Sequence, residues 1–247
     1  MRLDKYLCEC QVGSRTEVKK YIRQGLVTVN QATALRPEQK VDEKSDVICY
    51  RGKMLQYRQF LYYVFYKKPG CVTAVTDARH ATVMDDFPPE LKKRLAPVGR
   101  LDLDTEGLLL LTDDGAFTHH ILSPTHHMEK TYEACLDSPV PVSAVALFAE
   151  GVDIGDDTKT LPARLEILPV EYEPGHTKSC YAARLTITEG RYHQVKRMFS
   201  AVGCQVIKLK RLSIGSLTLE GLQPGEYRAL TEAEILALSG NACSRSE

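Results

Sequence analysis

The sequence predicts an α+β protein in two parts: a small N-terminal αβ segment, then a larger body with a largely antiparallel or mixed β-sheet and flanking helices. Three observations predict it. Beyond residue 60, many short strand-like runs are interspersed with helix-like stretches. Before residue 60, the chain reads helix, helix, then short strands. Charge also divides there: residues 1–60 hold 12 Lys/Arg against 7 Asp/Glu, and the remaining 187 hold 20 against 25. The net charge of zero over 247 residues therefore hides a basic head on a mildly acidic body. A basic head suits phosphate binding, although a lysine-rich helix is ordinarily just a solvated face.

The elements follow in order. Leu3, Tyr6, Leu7 and Cys10 recur at helical spacing. Ser14 with Glu17 three residues on is a capping box, opening a helix whose stripe is Val18, Tyr21 and Ile22 and which Gly25 terminates. Strands are expected at 26–29, turning at Asn30-Gln31, and at 46–50. Residues 51–59 read as a polar linker without periodicity. In the body, strands are expected at 60–66, 108–112, 130–136 and 183–188, and helices at 114–122, 142–150 and 192–202. Lys67-Lys68-Pro69-Gly70 reads as the turn that ends the first of these strands. The expected organisation is a domain over 1–59, with its linker from about 51, a domain over 60–238, and a disordered tail over 239–247.

Several function classes fall away. No apolar run approaches the roughly 20 residues needed to span a bilayer, and the start lacks a signal-peptide core, so a cytoplasmic protein is expected. The eight cysteines include no CxxC pair, so they are expected to be reduced, buried or incidental thiols and not zinc ligands. His126-His127-Met128-Glu129 lacks the HExxH spacing of a metal site.

Three stretches carry chemistry. Gly99-Arg100-Leu101-Asp102-Leu103-Asp104-Thr105-Glu106-Gly107 is a carboxylate-rich loop feeding the apolar run Leu108-Leu109-Leu110-Leu111, which reads as a buried central strand. A carboxylate at the mouth of such a strand is partly desolvated yet reachable, though Asp102 and Asp104 are also ordinary turn residues. Glu189-Gly190-Arg191-Tyr192-His193-Gln194-Val195-Lys196-Arg197-Met198-Phe199 is a glycine turn into a basic helix. Lys130-Thr131-Tyr132 opens a strand.

The first stretch matches, at every defined position, the motif Gly-Arg-Leu-Asp-x-x-Thr-x-Gly-Leu-Leu-Leu-Leu-Thr, and so resembles the RsuA/RluB branch of pseudouridine synthases. The N-terminal segment resembles the S4 RNA-binding domain through Arg2-Leu3-Asp4-Lys5-Tyr6-Leu7, Ser14-Arg15 and Ile22-Arg23-Gln24-Gly25-Leu26-Val27-Thr28-Val29-Asn30. The resemblance covers about residues 1–238. It implies a pseudouridine synthase fold for the body and Asp102, not Asp104, as the catalytic carboxylate. It places Lys196 as the cation paired with Asp102, and Tyr132 as an active-site aromatic able to stack on uracil and move a proton. RNA contact is implied for Arg2, Lys5, Arg15, Lys19, Lys20 and Arg23 in the head, and for Arg100, His193 and Arg197 in the body. The family segment usually reading Asn-Lys-Pro-x-Gly is altered here, with Lys67 in place of Asn and Gly70 directly after Pro69.

The activity so implied is isomerisation of a uridine in structured ribosomal RNA, without metal, nucleotide or redox cofactor. Tyr192-His193-Gln194-Val195-Lys196-Arg197-Met198 resembles the small-subunit members of the branch more than the large-subunit ones, which implies 16S rRNA, free or in a partly assembled subunit, as partner. A monomer is the default expectation. Two other classes remain open: a non-catalytic S4-type RNA-binding or ribosome-assembly protein, and a nucleosidase or glycosidase, which also works through carboxylates.

Overall fold

The structure, a computed structural model, describes residues 1–10, 12–55, 57, 59–169 and 181–240. The chain divides into two compact units, Met1–Phe60 and Leu61–Glu247.

In the first unit, α1 (Leu3–Glu9) and α2 (Arg15–Arg23) accompany a four-stranded antiparallel sheet. Among the described residues its order is β2 (Ala32–Thr33), β1 (Val27–Val29), β3 (Ile48–Tyr50), β4 (Lys53–Met54). The capping box forms as expected: the Ser14 hydroxyl accepts from the Glu17 backbone N–H while the Glu17 carboxylate accepts from that of Ser14 at 2.8 Å. Gly25 follows α2 at φ +71°, a left-handed conformation that favours glycine. Leu3, Tyr6, Leu7, Val18, Ile22, Val27 and Ile48 make the core. The linker expected over 51–59 is corrected. Arg51 and Gly52 (φ +49° and +75°) turn the chain into β4, and Leu55 and Tyr57 pack on the core, Tyr57 stacking on Tyr6 with centroids 5.4 Å apart. A strand of two exposed residues has too few positions to show a period, so the stretch reads as linker.

The second unit bears out the α+β expectation. Its sheet, nine-stranded among the described residues, runs β13 (Tyr227–Ala229), β5 (Tyr62–Lys67), β7 (Glu106–Thr112), β11 (Val206–Ile214), β8 (Lys130–Leu136), β10 (Tyr181–Ile187), β9 (Arg164–Ile167). The short β6 (Ala96–Val98) pairs with β7, and β12 (Leu217–Thr218) with β11. Pairing is antiparallel except between β7 and β11. Five helices accompany the sheet among the described residues: α3 (Pro89–Lys92), α4 (Gly115–Leu122), α5 (Ser143–Glu150), α6 (Gln194–Ser200) and α7 (Glu232–Leu238). The apolar run of β7 is explained by burial on both faces. Leu109 and Leu111 join one core cluster, while Leu108 and Leu110 join the other, with Phe117, Ile121 and Leu238.

The parallel junction of β7 and β11 is where the functional region forms. Gly107 sits opposite Arg211, and a Cβ on it would stand 2.3 Å from the Arg211 carbonyl oxygen. At φ +111° it also occupies backbone space that L-residues avoid. Lys67 corrects a further expectation: it is the last residue of β5, fully buried, and not part of the turn that ends that strand. Among the described residues, Cys8, Cys10, Cys49, Cys71 and Cys204 are in no disulfide, in line with the reduced-thiol expectation, whereas Cys135 is disulfide-bonded, which corrects it. The tail expected from 239 begins as the cap of α7 at Ser239, and residues 241–247 lie outside the described residues. No helix among the described residues is long and apolar enough to cross a membrane.

Candidate active site

A cavity of about 690 Å³ in the second unit draws its polar and aromatic lining chiefly from four segments. The loop entering β7 contributes Arg100, Leu101 and Asp102; β8 contributes Lys130 and Tyr132; α6 and the turn into it contribute Tyr192, His193 and Lys196; β11 contributes Arg211. Topology accounts for the convergence, because β7, β11 and β8 are neighbours in the sheet and Tyr132 lies directly opposite Arg211.

Asp102 stands between a lysine and a histidine. Lys196 Nζ lies 3.3 Å from one of its carboxylate oxygens and His193 Nε2 lies 3.5 Å from the other. Lys196 also donates to Asp104 at 2.6 Å, so it bridges both carboxylates and is closer to Asp104. Burial pulls the Lys196 pKa down, but its hydrogen bond to Asp104 and the charge of Asp102 outweigh this, and the net shift is upward. The hydrogen bond from Lys196 correspondingly holds Asp104 below the usual carboxylate range. The cation thus stays charged at physiological pH and fixes the carboxylate pair.

His193 reaches Asp102 because its backbone is left-handed, φ +47°, at the cap of α6. Its ring carries that of Tyr192, stacked at 3.9 Å and 18°, and Tyr192 is 76% exposed. Tyr132 is buried, and its hydroxyl accepts from Arg211 Nη1 at 3.3 Å. Arg211 is buried as well; its Nε donates to the Leu108 carbonyl at 2.7 Å, and its Nη2 has no protein partner. Lys130 donates to the Met128 carbonyl at 2.9 Å, and burial beside Arg211 pulls its pKa down to about 8. An anionic carboxylate thus faces a cavity whose inner wall is cationic and aromatic, the environment expected for a sugar-linked base that exposes carbonyl oxygens.

Known proteins share this sequence and fold. The RNA pseudouridylate synthase family matches residues 61–201, and the S4 domain matches residues 1–48. The chain belongs to the RNA pseudouridylate synthase family. Its relatives include an uncharacterized RNA pseudouridine synthase, YtzG, of Bacillus subtilis, 43% identical over 97% of this chain and 98% of that protein. The ribosomal small subunit pseudouridine synthase A of Salmonella typhimurium is 43% identical, over 96% of this chain and 100% of that protein. A crystal structure of a pseudouridylate synthase aligns with a TM-score of 0.66 at 40% identity, covering 96% of this chain and 99% of that one.

Within this synthase, Asp102, Tyr132 and Lys196 come together around one cavity, joined by Arg100 and His193. Arg197 does not join them in the cavity lining. Its guanidinium donates to the carbonyls of Ile154 and Tyr192 and pairs with Asp156, tying α6 to the loop after α5. At helical spacing one residue beyond Lys196 points about 100° away, which separates neighbours whose sequence context is the same. In the S4-like unit, Arg2, Lys5, Arg15, Lys19, Lys20 and Arg23 are all exposed. Arg2 is paired with Asp4 and Lys5 with Glu9. Sequence reasoning assigned no role to Arg211, Lys130 or Lys67. An arginine set among the apolar residues of 206–214 was the signal available for Arg211.

Proposed function

We propose that this chain converts one uridine of small-subunit (16S) ribosomal RNA to pseudouridine, with Asp102 as the catalytic carboxylate. The observation that carries the reading is the placement of Asp102 on the wall of the cavity, held by Lys196 and His193 and joined there by Tyr132. The small-subunit assignment is supported by the relatives bearing that name over nearly the whole chain.

The reaction breaks N1–C1′, turns the uracil and joins C5 to C1′; C5 loses its proton and N1 gains one. Asp102, paired with Lys196, supplies negative charge where positive charge develops on the ribose, by direct attack or by assisting departure through a glycal. The Tyr132 ring offers a stacking face for the uracil, and its hydroxyl, beside Arg211, lies where protons are exchanged. The target nucleotide leaves its stack to enter, which is cheapest in a loop or bulge. Exposed cations of the S4-like unit supply affinity, and the cavity supplies selectivity.

The test uses unmodified small-subunit rRNA tritiated at uridine C5. The expected outcome is tritium release without free base, abolished in Asp102→Asn. Release of free uracil would instead mark a nucleosidase, release of neither a binding protein, and full turnover by Asp102→Asn would remove Asp102 from the chemistry.

A further inference from the structure

The end of β5 holds a buried cation that the mechanism above does not use. Lys67 is fully buried and does not line the cavity, and among the described residues its Nζ pairs with no carboxylate. It donates instead to four backbone carbonyls, of Lys68 at 3.1 Å, Asp102 at 3.0 Å, Leu103 at 3.3 Å and Thr105 at 2.8 Å. Three of the four belong to residues 102–105, the loop that carries Asp102. Every one of these oxygens can only accept, so the site is satisfied by an ammonium, with three N–H groups, and not by a neutral amine with a lone pair.

Two neighbours of Lys67 hold the same loop. The backbone N–H of Gly70 donates to the Leu103 carbonyl at 2.7 Å. The buried Thr73 hydroxyl donates to the Leu101 carbonyl at 2.7 Å and accepts from the Leu101 N–H at 3.1 Å. Residues 67–73 thus grip 101–105, with Lys67 outside the cavity lining and Thr73 on it. The grip centres on Lys67, which reaches the carbonyl of Asp102 itself, an oxygen that also accepts from the Thr105 N–H at 3.2 Å.

We infer that Lys67 is a positioning residue for catalysis: its buried ammonium gathers the carbonyls of residues 102–105 and so sets where the Asp102 carboxylate meets the ribose. The inference rests on the reading of Asp102 as the catalytic group. An ammonium bound to several carbonyls also ties a loop together, since one buried cation satisfies backbone oxygens of four residues at once. Displacement of a reacting group by about 1 Å costs on the order of 100-fold in rate. Lys67 itself, being buried, has no route to the RNA, so its loss would act on rate and not on affinity.

The test compares Lys67→Met, which keeps length but removes charge and donors, with Lys67→Asn, which restores two N–H donors on a shorter arm. Asp102→Asn runs alongside. The readouts are single-turnover rate at saturating RNA, Kd for the RNA, and melting temperature, so that the rate refers to folded, RNA-bound protein. For Lys67→Met a rate loss of about 30-fold or more is expected, with Kd within about twofold of wild type. Lys67→Asn is expected to recover part of that loss. A lowered melting temperature with the rate of the bound enzyme within threefold of wild type would assign Lys67 to stability alone and overturn the inference. So would a Lys67→Asn rate no better than that of Lys67→Met, or failure of both variants to fold. If Asp102→Asn is inactive while Lys67→Met is unimpaired, only the Lys67 inference falls. If Asp102→Asn turns over normally, the reading of Asp102 falls first and takes this inference with it.

Discussion

Lys196 lies between two carboxylates two residues apart, and the shorter contact is to the one that the motif does not make catalytic. Geometry separates their roles by direction. Asp102 lines the cavity, whereas Asp104 is mostly exposed and does not line it. Asp104 therefore holds the lysine, and Asp102 is held by it. Asp104→Asn leaves the Asp102–Lys196 pair in place, so turnover is expected to fall by no more than about tenfold, whereas Asp102→Asn abolishes it. Tritium-release rates of the two variants decide this, and equal losses would mean that the carboxylates act as one unit. Arg100, His193 and Arg197 show how little neighbourhood in sequence says about neighbourhood in space. The first two line the cavity, while Arg197 closes a loop.

At the scale of elements, β7 and β11 meet in a parallel pair that leaves no room for a side chain at Gly107. Gly107→Ala would drive a methyl group into the Arg211 backbone at a φ unsuited to alanine. A destabilisation of about 3 kcal/mol or more is expected, read as a fall in Tm of roughly 6 °C or more. Gly52→Ala has only its positive φ against it, nothing lying within 4 Å of the new Cβ, and should cost clearly less. The helix α7 is fastened electrostatically: Arg228 on β13 donates two hydrogen bonds to Glu234, at 2.9 and 2.7 Å. Together with Thr231, Arg228 lowers the Glu234 pKa from 4.5 to about 2. A carboxylate depressed by folding stabilises above its unfolded pKa and loses that contribution as pH falls towards its folded one. The wild type should therefore exceed Glu234→Gln in stability near neutral pH, by about 1–2 kcal/mol after solvent screening. That gap should close between pH 4.5 and about 2. Thermal melts across that range check it, and a gap independent of pH would remove the ion pair as its cause.

At the scale of the whole molecule, a neutral chain conceals a division of labour: a basic unit for phosphates and a larger unit for chemistry. Arg15, Lys19, Lys20 and Arg23 are exposed while Val18 and Ile22 on the same helix are buried. Replacing these four cations by Gln in the full chain should weaken RNA binding and flatten its salt dependence, the slope falling by up to about 0.7–0.9 for each phosphate no longer neutralised. Turnover at saturating RNA should change little. Filter-binding measurements at several salt concentrations test this; an unchanged slope would move the phosphate-binding residues elsewhere.

The sequence by itself determined what is contiguous. The capping box at Ser14, the buried run of β7, the strand 130–136 and the motif around Asp102 are each read from residues within a few positions of one another, where periodicity and spacing act. The strand β11 escaped such reading because two register shifts, at 206–208 and 211–213, break the alternation that marks a strand. Tertiary structure alone decided what is assembled from afar. The meeting of Asp102 with Lys196 spans nearly a hundred positions, and that of Tyr132 with Arg211 nearly eighty, because the sheet places β8 and β11 side by side. Lys67 belongs to the same class: as a letter it is an exposed lysine in a turn. Only the fold, by closing residues 102–105 over it, turns it into a buried cation ringed by carbonyl oxygens behind Asp102.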